Sequence, residues 1–485
     1  MRFVRRLACF CAIVLTHGQV AAQEAAPGNA LIFSTDAGIS PTSDSINQRY
    51  TVRNIIIAGN RKTNPNIILR ELSFQIDEEY PLEQITKKFK KARQQLMNTG
   101  LFTDVTVSLQ TLSGYDVYVK IEVLEKWYIW PQPFLRTVDK NFHEWWTDKN
   151  RSMDRINYGI RLTHNNFTGR NDKLKINVMN GYTRQIALEY YGLYLDNQLR
   201  WSVNGGLSIG QNREVNYMTR DNKPVPIKNN DQFLRTYTSW FAEVSFRPAL
   251  KTKHTFGIGY CAEDYADTIF KLNPFFSSGS KALHSPELSY KLAYSDVDYI
   301  PYPTKGYLAE LMIRKKGFGF NDPINLWQLT AKGSGSWPIH PKYFFNLRAV
   351  GMLKLPFRQP YVTRQFIGYD DQYLQGYEYY VIDGVAGGFT KASITRQLLN
   401  TTLRINSKKF KCLNYIPLKF YAKTFVNAGY VYSKHPGQNE FANTPLYSGG
   451  IGLDIVTYND FVIKIEWSVN RLGENGLYLH RRNNF

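Results

Sequence analysis

Apolar and polar residues alternate along most of the chain from residue 127 to its end. Residues 173–178 (KLKINV) and 461–470 (FVIKIEWSVN) are two of these runs. Successive side chains of a β-strand point to opposite faces, so each run predicts a strand with one apolar and one charged face. About sixteen such runs occur, near residues 132, 155, 172, 184, 201, 233, 253, 285, 306, 325, 343, 388, 418, 448, 461 and 476.

A different pattern covers residues 50–126 and predicts a separate α+β domain. A strand begins at Tyr50, and a short helix follows with Asn64 as its cap and Pro65 at its first position. The segment after it carries apolar residues at helical spacing and stops at Gly100. Two alternating segments then form a hairpin that ends near residue 126. The predicted element order is β-α-α-β-β.

The sequence of the first 49 residues predicts an export signal followed by a linker. Arg2, Arg5 and Arg6 precede a short apolar run that ends before Val20-Ala21-Ala22, which is the layout of a secretory signal peptide over residues 1–22. This apolar run is too short to span a bilayer. Residues 23–49 are small and polar without a period, which predicts a linker.

The amino-acid composition narrows the choice of fold class for the alternating region. The chain has 33 Tyr, 29 Phe and 9 Trp, yet its mean hydropathy is −0.38. Strands that face lipid with every second residue produce this combination, although a secreted sugar-binding β-protein would fit it too. An even strand count and a final alternating strand favour the transmembrane β-barrel over residues 127–485. Gly476, Tyr478 and His480 share one face of that strand, and the terminal Phe485 fits an outer-membrane sorting signal.

Several segments resemble known families. The stretches IIIAGNRKT, LMNTGLFTDVTV and VYVKIEVLEK in residues 50–126 resemble a POTRA domain, a periplasmic module. The segment QFIGYDDQYLQGYEYYVIDG at residues 365–384 resembles the long loop that folds into the lumen in the BamA/TamA family of outer-membrane assembly barrels. The family's Arg-Gly-Tyr/Phe loop tip matches Leu374, Gln375, Gly376 and Tyr377 here, and its Phe-x-Asp-x-Gly strand motif matches Phe425, Asn427 and Gly429.

Both charged positions of the family motif are amides in this chain. Gln375 stands where the family has arginine, and Asn427 stands where it has aspartate. Losing both charges together avoids burying one unpaired charge, and two amides can still form hydrogen bonds of about 1 kcal/mol each. We therefore expect the loop to enter the barrel and Gln375 to pair directly with Asn427.

The sequence offers little that would support catalysis or a cofactor. GLSIG at residues 206–210 matches a nucleophile motif, but Ser208 lies in an alternating run without the helix that this motif requires. The His residues lack metal-ligand spacing, so we expect no metal, no cofactor and no enzymatic activity. The net charge of +20 is not accompanied by a nucleic-acid motif. Cys261 and Cys412, beyond the predicted signal peptide, could pair or could be two separate thiols.

The resemblance implies an outer-membrane insertase or translocase with its POTRA-like domain in the periplasm. Its expected partners are nascent outer-membrane or secreted proteins, outer-membrane lipids and accessory lipoproteins, with no nucleic acid. The seam would join residues near Phe134 to the last strand. Two alternatives stay open: a pore of the same superfamily for one protein or lipid substrate, and a structural or adhesive barrel without insertase activity.

Overall fold

The computed structural model describes residues 48–137, 156–319, 323–369, 372–404 and 415–480. The predicted signal peptide, almost all of the predicted linker, and Phe485 lie outside these residues. Among the helices in the described ranges, none combines the length and apolarity needed to cross a membrane.

The N-terminal domain is a four-stranded sheet covered by two helices. Its elements are β1 (Arg49–Ala58), α1 (Pro65–Arg70), β2 (Glu79–Pro81), α2 (Leu82–Asn98), β3 (Phe102–Ser113) and β4 (Asp116–Glu125). The strand order is β2-β1-β4-β3, with β1 and β4 parallel. The short strand β2 is an element that the sequence pattern did not predict.

Local sequence explains both helices. The side chain of Asn64 accepts a hydrogen bond from the backbone N–H of Asn66 at 2.9 Å and so caps α1, and Pro65 occupies the first turn. Helix α2 buries Ile85, Phe89 and Leu96 on one stripe. These side chains belong to one apolar core with the inner faces of β3 and β4. Burial of this stripe fixes the helix on the sheet.

The remaining strands build the barrel wall and its outer loops. They are β5 (Ile129–Thr137), β6 (Ile156–Asn165), β7 (Lys173–Gly181), β8 (Thr183–Tyr194), β9 (Trp201–Asn212), β10 (Glu214–Arg220), β11 (Lys223–Lys228), β12 (Arg235–Ala249), β13 (Thr252–Tyr265), β14 (Ala282–Val297), β15 (Gly306–Lys316), β16 (Leu326–His340), β17 (Tyr343–Leu355), β18 (Gln365–Ile367), β19 (Ile382–Asp383), β20 (Ala386–Arg404), β21 (Tyr415–Tyr432), β22 (Leu446–Thr457), β23 (Phe461–Asn470) and β24 (Asn475–His480). Helix α3 (Asp267–Leu272) lies between β13 and β14.

Sixteen of these strands form one antiparallel sheet, which confirms the predicted fold class. In the sheet, each strand pairs with its neighbours along the chain from β5 to β24, while β10-β11 and β18-β19 form separate small sheets. Apolar side chains on the outer face are exposed, among them Ile186 (63%) and Val426 (64%). Polar side chains on the inner face, such as Asn204 and Glu263, are buried. This inside-out distribution is the one expected for lipid outside and a polar lumen inside.

The N-terminal domain is docked against the turns at one end of the barrel. Glu71, at the end of α1, is 3% exposed and accepts hydrogen bonds from Arg70 (2.8 Å) and from Arg247 near the end of β12 (3.0 Å). Arg70 also donates to the carbonyl of Leu199, whose side chain is buried in the core of the N-terminal domain. The backbone N–H of Asn64 donates to the carbonyl of Gly169 at 2.8 Å. The contact therefore contains a buried ion pair and backbone hydrogen bonds.

We predict that Glu71→Gln loosens this docking. The substitution leaves the Arg70 and Arg247 cations next to a neutral amide, and removing one partner of a buried ion pair costs about 3 kcal/mol, or roughly 100-fold more frequent opening. Hydrogen exchange of the peptides around residues 62–72 and 195–200 should accelerate accordingly. Glu83→Gln on α2 is the matched control, because Glu83 is exposed and forms a surface pair with Lys87 on the same helix. Equal exchange in both variants would contradict the assignment.

Candidate functional site at the lumenal loop and the seam

The described part of the segment between β17 and β20, residues 356–369 and 372–385, reaches into the barrel and buries its tip against the inner wall. Leu374 and Tyr377 are 0% and 1% exposed, and a turn closes where the Tyr377 N–H donates to the Leu374 carbonyl at 3.0 Å. Gly376 has φ +89°, and a Cβ there would lie 3.2 Å from Cβ of Ser448. Glycine at the tip thus satisfies both the left-handed turn and the close approach to the wall.

Hydrogen bonds from β22 and β23 hold the backbone of the tip. Ser448 donates to the Gln375 carbonyl at 2.5 Å, and Asn470 donates to the Gly376 carbonyl at 2.9 Å. The Tyr377 hydroxyl donates to the carbonyl of Tyr447 at 3.0 Å. Buried carbonyls need such partners, so these contacts fix the tip in one place.

The direct Gln375–Asn427 pair expected from the sequence is not the contact that the structure contains. The Gln375 amide donates to Glu466 at 2.7 Å, while the Asn427 amide donates to the Ser448 hydroxyl at 3.0 Å. The two residues are therefore connected through Ser448. A carboxylate is a stronger acceptor than an amide oxygen, which explains why Gln375 turns to Glu466.

The three strand positions of the motif nevertheless face the loop. Phe425 and Asn427 are 3% and 4% exposed on the inner face of β21. A Cβ at Gly429 would lie 3.1 Å from Cβ of Phe389 and 3.7 Å from the Leu374 side chain. This glycine leaves room for the loop tip.

Glu466 is the centre of an ionic network that the sequence interpretation did not assign. Its side chain is fully buried and contacts Lys423 at 2.5 Å, and its second oxygen lies 2.7 Å from Nδ1 of His480. Lys423 also pairs with Asp454 at 2.8 Å. Strand parity places Glu466 on the polar face of its strand, but it does not identify partners that lie on other strands.

His480 connects the last described strand to the loop. Its ring stacks on Tyr373, with centroids 4.5 Å apart, and its Nε2 lies 3.7 Å from Glu378. Glu378 belongs to the loop, accepts the Gly376 N–H at 2.8 Å, and has its pKa raised to about 7 by burial. The His480 side chain thus lies between a wall carboxylate and a loop carboxylate.

The sixteen-stranded sheet has two ends, β5 and β24. Within the described ranges, no backbone pairing joins them. β24 pairs with β23 from Asn475 to His480, and its outer residues Leu477 and Leu479 are 71% and 73% exposed. Gly476 and Tyr478 lie on the inner face with His480, as the alternation predicts, and the Tyr478 ring lies 5.7 Å from that of Tyr379 in the loop.

Other sequence candidates lie away from this site. Ser208 lies inside β9 and accepts a hydrogen bond from Gln185, in a strand environment without a nucleophile turn. In the described part of the chain, no group of His, Cys, Asp and Glu could hold a metal ion. Cys261 is a free thiol on β13, and Cys412 lies outside the described residues.

We predict that Glu378 makes docking of the loop pH-dependent. A raised pKa means that the docked state favours the protonated carboxyl, so stability is highest below pH 4.5 and falls as pH rises to about 7. The full loss is about 3 kcal/mol for this shift. Unfolding midpoints measured across this range should fall more steeply for the wild type than for Glu378→Gln. Glu440→Gln, on the exposed loop after β21, should follow the wild type, and parallel curves for all three proteins would refute the assignment.

Comparison with known proteins agrees with this architecture. The family model of the Omp85 superfamily domain matches residues 166–457, more than half of the chain, and that of the POTRA domain (surface antigen variable number repeat) matches residues 50–126. No curated protein matches significantly.

Solved structures with the same fold are only distantly similar in sequence. BamA from Haemophilus ducreyi lacking POTRA domains 1–3 is 14% identical, with 89% of this chain and 83% of that chain covered and a TM-score of 0.50. CdiB from Escherichia coli is 11% identical, with coverage of 90% and 74% and a TM-score of 0.51. With a POTRA domain, a sixteen-stranded barrel and a matching family model, this chain belongs to the Omp85 superfamily.

Proposed function

We propose that this protein inserts or translocates client polypeptides at the seam between β24 and β5. The observation that carries the proposal is the break in the strand ladder at these two ends of the sheet, within the described residues. An unpaired strand edge exposes backbone N–H and C=O groups, which are costly in lipid. A client strand that pairs with such an edge satisfies these groups, so the seam is a template for β-strand addition.

The exposed face of β24 suits this role. Within the described residues, β24 has a strand neighbour on one side only, β23, which it pairs from Asn475 to His480. An inner strand such as β20 is held on both sides, by β17 and β21, so the strand at the end of the sheet is easier to displace. The outer leucines of β24 lie in the lipid-facing surface, where an incoming strand would add its own apolar face.

The lumenal loop would keep this mobile edge attached to the wall. Its tip is hydrogen-bonded to β22 and β23, and its carboxylate Glu378 and ring Tyr373 contact His480 on β24. Contacts inside the lumen do not occupy the strand edge itself. In this proposal, the loop holds the last strand from the inside while its edge stays available to clients.

The POTRA domain would receive clients on the periplasmic side. Its sheet ends at β3, whose outer edge is unpaired in the described residues, so an extended client segment can add there. The proposed partners are nascent outer-membrane or secreted proteins, with outer-membrane lipids around the barrel and accessory lipoproteins at the POTRA domain. The proposed location is the bacterial outer membrane, with the POTRA domain in the periplasm.

We predict that closing the seam covalently stops client assembly. Cysteines at Leu135 and at Leu477 or Leu479 would be joined by a short reducible crosslinker, in a background carrying Cys261→Ser and Cys412→Ser. Insertion of a small outer-membrane barrel into liposomes that contain the protein should fall at least about tenfold when the seam is crosslinked, because the edge can no longer pair with a client. Reduction should restore it.

The matched control places the same crosslink inside the wall. Ile258 and Leu288 are direct register partners on β13 and β14, both facing outward. Crosslinking Ile258→Cys to Leu288→Cys joins strands that are already paired, so assembly should continue. Unchanged assembly with a crosslinked seam would refute the lateral mechanism and favour a fixed pore or a structural barrel.

A further inference from the structure

A small cavity with a strongly basic lining lies between the lumenal loop and the barrel wall. Its volume is about 60 Å³, and Tyr373 and Gln375 of the loop form one side of it. The wall side contains four cations from four strands: Arg348, Lys391, Lys423 and Lys464. Asp454 is the one carboxylate that lines the cavity among the described residues, so cations outnumber anions there.

The strand register brings like charges together. Arg348 on β17 and Lys391 on β20 are direct register partners. Like charges directly opposite each other destabilise a sheet unless something compensates them. Lys423, on the next strand, pairs with Asp454 and Glu466.

Lys391 reaches aromatic rings rather than a carboxylate. Its Nζ lies 3.8 Å from the ring centre of Tyr373 and 5.6 Å from that of Phe389. No carboxylate in the described ranges lies within ion-pair distance of this ammonium group. Tyr373 therefore holds the ammonium at the cavity without neutralising its charge.

The cavity lining also contains two neutral polar groups, a hydroxyl that can donate a hydrogen bond and an amide oxygen that can accept one. Thr395 is 1% exposed, and in the part of the chain that the structure describes its hydroxyl has no hydrogen-bond partner. The side-chain oxygen of Asn346 is likewise shielded and without a partner there. Buried polar atoms are almost always hydrogen-bonded, so both atoms point to a ligand in the cavity.

The charge and volume define the chemistry of that ligand. A cavity needs about 10–15 Å³ to hold one water, so this one has room for a small multi-atom ion and not for a lipid chain. Cations and a hydroxyl donor suit a tetrahedral oxyanion, and the Asn346 oxygen suits its remaining O–H group. We propose that the cavity binds a phosphate-type oxyanion, held by Lys391 and Thr395 within this basic lining.

Binding would stabilise the loop against the wall. Tyr373 and Gln375 form part of the cavity lining, and the other side belongs to strands β17, β20, β21 and β23. An anion between them would offset repulsion among the wall cations and join loop and wall in one charged cluster. The site does not depend on the proposed transport function, since binding can be measured without any client.

The test uses the full chain in a maltoside detergent, with inorganic phosphate as the probe and chloride at matched ionic strength as the background. We expect a saturable rise in the thermal unfolding midpoint, because a ligand that binds only the native state stabilises it. Lys391→Met should weaken phosphate binding at least about tenfold, as expected for loss of one charged contact. Lys305→Met, at an exposed turn, removes the same charge elsewhere and should leave binding unchanged.

A second variant keeps the test decisive if Lys391→Met fails to fold. Thr395→Val preserves shape and removes only the hydroxyl donor, so it should weaken phosphate binding while the heat-modifiable band of the folded barrel is retained. Micelles doped with phosphatidic acid distinguish a lipid headgroup from free phosphate as the source. Saturable stabilisation by either source that Lys391→Met or Thr395→Val reduces supports the site. No saturable effect from either source, or equal effects in wild type and both variants, would overturn it.

Discussion

The polar contacts between the lumenal loop and the strands nearest the seam centre on one buried carboxylate, that of Glu466. A buried charge is costly unless it is paired and hydrogen-bonded. Glu466 meets this requirement with Gln375 from the loop, Lys423 from β21 and His480 from β24. These partners come from segments far apart in sequence, so satisfying one carboxylate fixes the relative positions of the loop tip and the strands nearest the seam.

A second buried carboxylate has a comparable role at the end of the barrel that contacts the POTRA domain. Glu71 joins this domain to the end of β12 through Arg70 and Arg247. In both places apolar packing accompanies the ionic contacts, because Leu374 and Tyr377 of the loop share a buried cluster with Phe389 and Leu446 of the wall, and Leu199 of the barrel lies in the POTRA core. The ionic and hydrogen-bonded contacts add directional geometry to this packing, which makes the arrangement of the parts specific.

The sequence predicted some features of the site better than others. The alternation of side chains along each strand placed Asn427 and residues 476, 478 and 480 on the inner face. The loop motif identified the tip that is buried. The sequence did not identify Glu466, which lies 91 residues from Gln375, as the partner of Gln375. It also did not identify Ser448 as the link between Gln375 and Asn427. An alternating pattern specifies which face a side chain occupies, but several acceptors share that face and only packing selects among them.

By itself, the sequence determined the number, position and facing of the sixteen barrel strands and the element order of the POTRA domain apart from the short strand β2, because these features follow from local periodicity. The tertiary structure decided the rest: the docking of the POTRA domain on the barrel, the hairpin β10–β11 and helix α3 in the outer loops, and the partners of Gln375. These features depend on contacts between distant segments, where desolvation and charge pairing favour one arrangement among many that the local pattern allows.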